Sequence, residues 1–273
     1  KTSLIKMKKK NRVCVVIPCF NVKNSIEKVI KKINFKLIDK VIIVDDCCPE
    51  KTASHLTKKK IKNVIILINK KNLGVGGATL RGFKKAIQMK FDIVFKIDGD
   101  NQHEPKDLEK FIKFMQNNEV NFCKGTRFKV LSEKKKIPMI RLIGNTVLTH
   151  LSRINCRYSN LTDVVNGFIG IKIDLLKKLN FDNISKDFFF EEDLLFRISL
   201  IENKIYELPI KTIYHNKSNL NPFRTIIPFI FKHIKNFFIR LERDFWLNIK
   251  FEKWLEIKFL IYMILTGYEF KRP

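Results

Sequence analysis

Two pairs of aspartates stand out in this chain because each closes an apolar run. In "FKIDGDNQHEP", Asp98 and Asp100 flank Gly99 at the end of "FDIVFKI". In "KVIIVDDCCPE", Asp45 and Asp46 close a second run. Two carboxylates at i and i+2 can share one hard divalent cation if the backbone turns between them, and Gly99 permits a turn. Mg²⁺ or Mn²⁺ prefers oxygen ligands and fills its remaining positions with water and substrate phosphate oxygens. Asp98 and Asp100 are therefore candidates for tying a diphosphate to the protein through a metal. Asp45 or Asp46 could accept hydrogen bonds from a base N–H or from ribose hydroxyls, or could serve the chain itself as an Asx turn or helix cap before "CCPEKT". A third candidate is "NLGVGGATLRG". Gly74, Gly76 and Gly77 open a helix where backbone could approach a phosphate-bearing ligand, with Arg81 one turn inside. This is neither the Walker A pattern nor the G-x-G-x-x-G spacing.

The elements around these residues predict their placement. "RVCVVIPCF" (Arg12 to Phe20), "KVIIVDDC" (Lys40 to Cys47), "NVIILINK" (Asn63 to Lys70), "FDIVFKIDGD" and "NFCKGTRF" read as five strands. "NSIEKVIKKI", "GATLRGFKKAIQMK" and "EPKDLEKFIKFMQNN" read as helices between them. Strands alternating with helices predict an α/β fold with a mostly parallel sheet covered on both faces, and such sheets bind ligands beyond the carboxyl ends of their strands. Pro18 and Asn21 close the first strand, so they join the acids at that edge. The second half is less regular. It offers helices at "RLIGNTVLTHLSRI" and "FFFEEDLLFRISLIENK", a glycine turn, short strand and helix in "DVVNGFIGIKIDLLKKL", and a late strand in "KIYELPIKTIYH". A composition shift near Ser218 to Pro222 divides residues 1–220 from a basic, amphipathic helical tail, 221–273.

The chain has 273 residues, 54 Lys and Arg against 27 Asp and Glu, and a formal net charge of +27. At 45% hydrophobic residues it can build a large core. So basic a chain suits an anionic partner, although abundant Lys, Asn, Ile and Phe are also what A/T-rich codons supply. The six cysteines include no CxxC pair, which predicts free thiols and a reducing compartment. The opening "KTSLIKMKKKNR" lacks the apolar stretch of a secretory signal. "FLIYMILTGYEF", Phe259 to Phe270, is too short to span a bilayer. The tail interleaves Phe, Ile, Trp246 and Trp254 with Lys and Arg, as an interfacial helix does. The competing expectation is packing on the preceding domain or on a second copy of the chain.

In order along the chain, "VVIPCFN", "VIIVDDCCPEKT", "NLGVGGATLRGFKKA", "KIDGDNQHEP", "KGTRF", "DVVNGFIGI", "FFFEEDLL" and "ELPIKTIYHNKSNLNP" resemble glycosyltransferase family 2 with the GT-A fold, a Rossmann-like sheet flanked by helices. The likeness is to its dolichyl- and polyprenyl-phosphate sugar synthases and runs from about Val13 to Pro222. The resemblance implies an inverting, metal-dependent transfer from a nucleotide-sugar donor to a polyprenyl phosphate, at the cytoplasmic face of a membrane and with peripheral or weak anchoring. It assigns the donor base and ribose to Asp45 or Asp46 and the metal to Asp98 and Asp100. It brings Gln102 and His103 toward sugar or acceptor, and Arg127 and Lys217 toward phosphates. Asp193, with Glu191 as its neighbour, becomes the base candidate. A lipid phosphate is already anionic and needs no strong base; a hydroxyl acceptor, the alternative for the same fold, would. The family's turn after the second strand is rich in Gly and Ser, whereas here Cys47, Cys48 and Lys51 replace them, so a positive φ at Cys47 would carry strain. A nucleotidyltransferase would show a glycine- and basic-rich loop after the first strand, and "PCFNVKNSIEK" has none. A nucleic-acid binder would gather cations where this chain gathers acids.

Overall fold

The computed structural model describes residues 11–129, 139–202, 204–213 and 222–248. Seven strands form one sheet: β1 (Val13–Cys19), β2 (Lys40–Asp45), β3 (Val64–Ile68), β4 (Ile93–Lys96), β5 (Phe122–Thr126), β6 (Ile169–Lys172) and β7 (Tyr206–Pro209). Among the described residues the α-helices are α1 (Lys23–Lys31), α2 (Thr52–Lys58), α3 (Gly74–Gln88), α4 (Asp107–Asn117), α5 (Met139–Cys156), α6 (Ile173–Leu176), α7 (Phe190–Ser199) and α8 (Pro222–Asn248). The strand order is β3-β2-β1-β4-β6-β5-β7. The five expected strands of the first half are all present, each trimmed by a few residues at its ends. Helix α2 was not among the expected elements, although a helix cap at Asp45 or Asp46 was one expectation for the turn before it.

β1 is buried along its whole length because both sheet faces are covered. Cys14 and Val16 enter one core with Val94, Phe122 and Ile169, under α3 and α7. Val15 and Ile17 enter the other with Ile43, Phe95 and Phe111, under α1 and α4. A continuous apolar strand thus supplies two cores through its period of two. Gly82 lets α3 approach β1 so closely that a Cβ there would collide with Val16.

Two features of the topology position the site. The chain runs outward from β1 to β3, then returns to place β4 on the other side of β1, so the order reverses between β1 and β4. That reversal opens a crevice at their carboxyl ends. The second feature is an interruption. β6 runs antiparallel between β4 and β5, pairing Lys96 with Ile169 on one side and Lys124 with Ile169 on the other. Register partners share a sheet face, so Lys96, Ile169 and Lys124 form one row beneath α7. The segment Asn166–Gly167 that enters β6 comes to rest beside Asp98. All six cysteines are free thiols. A second cleft, lined by Lys90, Asp92, Glu119, Lys172, Asp174 and Lys177, opens at the opposite edge of the sheet.

Candidate active site

The loop after β4 is clamped from several sides. Asp100 accepts a hydrogen bond from its own Gln102 N–H (3.0 Å), an Asx turn. The left-handed residue of the loop is Asn101, with φ of 62°, so the turn expected at Gly99 falls two residues later. Gly99 instead makes room: a Cβ there would lie 3.2 Å from Val22 and 3.3 Å from Ile17. Ser25 donates to the Gly99 carbonyl (2.7 Å), and Ile213 donates from its backbone to Gln102 O (2.9 Å). The Nδ1 of His103 accepts the Asp98 N–H (3.4 Å), which puts that ring's own proton on Nε2. His103 is buried edge-on to Phe168, and burial lowers its pKa against the opposing pull of Asp98 and Asp100.

Lys96 organises the acids. Its ammonium is 1% exposed and sits 2.6 Å from both Asp98 Oδ1 and Glu191 Oε1. Burial alone would lower its pKa, but the two carboxylates outweigh burial and hold it above the usual lysine value. Asp98 behaves reciprocally: burial would raise its pKa, and Lys96 followed by His103 brings it down. Asp100 has no such cation, so burial and then Asp98 raise it. Gly167 closes this cluster from β6. A Cβ there would stand 2.6 Å from Asp98 Oδ2 and closer still to the Lys96 ammonium.

The β2 acids lie at the same sheet edge, across β1, with Asp45 in register with Cys19. Each is engaged locally. Asp45 accepts from the Cys48 N–H (2.8 Å) and the Ala53 N–H (2.6 Å), holding the turn and the first turn of α2. Asp46 accepts from the Asn69 side chain (2.5 Å) and the Leu73 N–H (2.9 Å). Asn69 is buried, and its Oδ1 in turn accepts from Arg81, which also donates to Ile68 O (2.6 Å). Arg81 is thus committed to the end of β3. Pro18 is buried within β1, and Asn21, at φ of 55°, donates its N–H to the Cys48 sulfur (3.1 Å). Cys47 and Lys51 adopt φ of 58° and 53°, so both substitutions of the family's glycines fall on left-handed backbone.

Three groups of expected site residues already have partners within the chain. The glycines opening α3 accommodate the chain's own backbone: Gly77 N–H donates to Lys186 O (3.0 Å), and a Cβ on Gly76 would lie 2.5 Å from Ser185 O. Gly74, at φ of 79°, abuts Lys186 O in the same way. Arg127, expected on phosphates, forms a two-pronged pair with Asp163, with Nε and Nη2 each 2.7 Å from a carboxylate oxygen. Asn145 and Asn166 donate to the same carboxylate, and although burial raises the Asp163 pKa, Arg127 pulls it down to about 2. Asp193 accepts from the Ser185 N–H (2.8 Å) and Asn236 (3.1 Å), and lies 3.4 Å from Arg197 Nε. Glu191, two residues earlier on the same helix, is the acid joined to Asp98 through Lys96. Lys217 lies outside the described residues, as do Trp254 and Phe259 to Phe270.

Sequence reasoning missed Lys96, Lys124, Asn69, Asp163 and Gly167. A lysine inside each of two otherwise buried strands, "FDIVFKI" and "NFCKGT", was the available signal. Lys124 is fully buried and donates to Asp163 O. Burial lowers its pKa.

Among the described residues no group of three or more His, Cys, Asp or Glu forms a ready-made metal cage. A hard cation held by one or two carboxylates and substrate phosphates needs none. Asp98 and Asp100 supply two carboxylates, and the raised pKa of Asp100 marks a place short of positive charge.

The sheet order, its switch point and the acid-lined edge have the architecture of the GT-A fold. The family model for glycosyl transferase family 2 matches residues 14–179, more than half of the chain, and the chain belongs to that family. It is 29% identical over 214 residues to the UDP-N-acetylglucosamine–dolichyl-phosphate N-acetylglucosaminyltransferase of Methanococcus voltae, covering 73% of this chain and 85% of that protein. It is 25% identical over 203 residues to the undecaprenyl-phosphate mannosyltransferase of Micrococcus luteus, covering 73% and 82%. The crystal structure of glucosyl-3-phosphoglycerate synthase from Mycobacterium tuberculosis, in complex with Mn²⁺, UDP and its product, superposes with a TM-score of 0.61. That match has 15% identity and covers 84% of this chain and 80% of that one. The protein is a glycosyltransferase with the GT-A fold.

Proposed function

We propose that this chain transfers a sugar, with inversion, from a nucleoside-diphosphate sugar to a polyprenyl phosphate, as a divalent-metal-dependent enzyme working peripherally at the cytoplasmic face of a membrane. The observation that carries the reading is the Asp98–Lys96–Glu191 cluster with Asp100 beside it, at the switch point of the sheet. The names of the two polyprenyl-phosphate relatives support the acceptor class.

Asp98 and Asp100 would hold Mg²⁺ or Mn²⁺, which supplies positive charge against the departing diphosphate. The other steps belong to the chain's own groups. Asp46, oriented by Asn69, and the turn built on Asp45 meet the base and ribose, with Asn21 and Pro18 at the neighbouring strand end. Gln102 and His103, fixed by the loop's clamps, border the sugar. Lys96 fixes Asp98 and Glu191 together, so that the metal-side and acceptor-side acids keep one spacing. One acceptor phosphate oxygen attacks the anomeric carbon, and its lone pair forms the new C–O bond. The bond from that carbon to the donor diphosphate breaks on the opposite face, and the diphosphate leaves with the electron pair. No proton moves, because the attacking oxygen is already an anion at neutral pH. Lys217, and Arg127 as held by Asp163, offer cations to the acceptor phosphate. Glu191 orients the acceptor, while Asp193 anchors α7.

The test is transfer of labelled sugar from a panel of nucleotide sugars to a polyprenyl phosphate, with the matching polyprenol and a free glycan as comparison acceptors. Label should enter the phosphate acceptor with Mn²⁺ or Mg²⁺ present. Asp193→Asn and Glu191→Gln should each retain measurable transfer. Label entering only a hydroxyl acceptor, with near-total loss in Glu191→Gln or Asp193→Asn, would replace this reading with the hydroxyl one.

A further inference from the structure

Helix α8 is built inside out. Its inward side carries buried polar groups, His233, Asn236 and Arg240, beside Phe229. His233 bonds Glu192 (2.6 Å), Asn236 bonds Asp193 (3.1 Å), and Arg240 reaches Ser199 (2.6 Å) and Asn155 O (2.9 Å). Its outward side carries Ile227, Phe231, Ile234, Phe238, Leu241 and Phe245, all exposed; Phe231 is 67% and Phe238 62% accessible. These positions recur every three or four residues, which is one continuous stripe of an α-helix. Helix α5 repeats the inversion. Asn145, Thr149, Ser152 and Asn155 are buried, whereas Met139, Ile143, Val147 and Ile154 are exposed. The helices lie against each other through the Asn155–His233 and Arg240–Asn155 bonds, so two apolar stripes flank one contact.

A helix on a water-facing surface puts its apolar side inward. Single exposed hydrophobics are ordinary, but two adjoining helices that both invert the pattern are not. Charge decides between the two occupants that fit such a face. At a net charge of +27, two copies of this chain repel, whereas an anionic leaflet attracts each of them. Exposed Lys235 stands next to Ile234 on α8, and exposed Lys186 lies in the segment that joins α8 to the site. That segment is short. Lys186 O touches the start of α3, Asp187 pairs with Lys232 of α8, and Phe189 packs on Phe229 and His233 immediately before the acids of α7.

We infer that the exposed apolar face of α5 and α8 is the surface by which this protein lies on an anionic lipid bilayer, apolar side chains among the acyl chains and cations at the headgroups. The face carries no catalytic group. It holds α7 from beneath, so a lipid-borne phosphate would arrive beside Glu191. This deepens the acceptor reading given above and rests partly on it.

The experiment is co-sedimentation of the full chain with vesicles of phosphatidylcholine, with and without phosphatidylglycerol, alongside light scattering in the absence of lipid. Wild type should sediment with the phosphatidylglycerol vesicles. Phe231→Glu and Phe238→Glu should each weaken partitioning roughly tenfold and leave the thermal unfolding midpoint unchanged, since both side chains are already in water. On a short, water-soluble prenyl phosphate the variants should transfer sugar as wild type does, and on vesicle-embedded acceptor they should fail. Wild type that ignores anionic vesicles, or variants that bind them equally well, overturns the proposal. So does a dimer in lipid-free buffer that Phe231→Glu converts to monomer, because the face then belongs to a second copy. Vesicle binding without transfer to either acceptor leaves the docking face standing and removes the functional reading instead.

Discussion

Replacing Lys96 with Met isolates the interaction on which the acid cluster depends. The methionine fills nearly the same volume in the strand, so the change removes a charge more than a shape. In the folded protein the ammonium is 1% exposed and 2.6 Å from one oxygen each of Asp98 and Glu191. Even at an effective dielectric of about 20, a pair of unit charges 4 Å apart gains roughly 4 kcal/mol, and that gain offsets the cost of drawing the charges from water. Without Lys96 the carboxylates keep the cost and lose the gain. Breaking one partner out of a buried pair costs about 3–5 kcal/mol. Asp98 remains a third exposed, so the lower end applies, about 3 kcal/mol. Urea unfolding near pH 7 reads this directly. The pH dependence follows from the directions of the shifts. In wild type the Asp98 pKa is lowered, so its contribution is present above the ordinary carboxylate value of 3.8 and is lost only as the pH falls through the lower folded value. The Lys96 pKa is raised, so its contribution persists up to 10.5 and is lost as the pH rises through the higher folded value. In Lys96→Met the Asp98 carboxylate loses its cation and its pKa rises, so the deficit should grow with pH and shrink toward about pH 4. Adding Glu191→Gln to Lys96→Met should recover at least about 1 kcal/mol, because one uncompensated charge has gone. A deficit under about 1 kcal/mol, or one that the second substitution leaves unchanged, would refute the reasoning.

Cys47→Gly and Lys51→Gly should each stabilise the fold by about 0.5–1 kcal/mol in urea unfolding, since both positions are left-handed and a side chain there is strained. Gly167→Ala forces its methyl against Asp98 and Lys96; it should cost about 1–3 kcal/mol and abolish any Mn²⁺-dependent stabilisation by nucleoside diphosphates in a thermal-shift assay. The Asp163 pKa of about 2 lies below the ordinary 3.8, so its contribution, about 2 kcal/mol, is complete above pH 3.8 and vanishes as pH falls through about 2. Asp163→Asn should therefore lose stability near pH 6, and its curve should approach that of wild type under acid conditions.

The first half of the fold was legible because its strands, all but the edge strand β3 buried on both faces, read as mostly apolar runs between helices. "RVCVVIPCF" leaves no other reading. The reversal after β4 was not legible. β6 is four residues of "IGIK", and nothing local to it specifies that it runs antiparallel between β4 and β5 rather than following in order. That insertion is why Gly167 meets Asp98 and why two lysines share a row. Asp98 and Asp100 were readable from their spacing, whereas the choice of acid on α7 was not. Glu191, Glu192 and Asp193 are consecutive, and only the helix's rotation decides that Glu191 meets Lys96, Glu192 meets His233 and Asp193 meets Ser185. The tail was readable as amphipathic but not as inverted, because a helical wheel shows two faces without saying which one is inward.

The proposed transfer requires Asp98 and Asp100 to hold a divalent ion against a nucleoside diphosphate. Thermal unfolding of wild type and Asp100→Ala with UDP and the other nucleoside diphosphates, in Mn²⁺ or in chelator, tests it most directly. At least one diphosphate should raise the wild-type midpoint in Mn²⁺ alone, and Asp100→Ala should remove that rise. A rise that survives both chelator and Asp100→Ala, or no rise with any of the diphosphates, would contradict it.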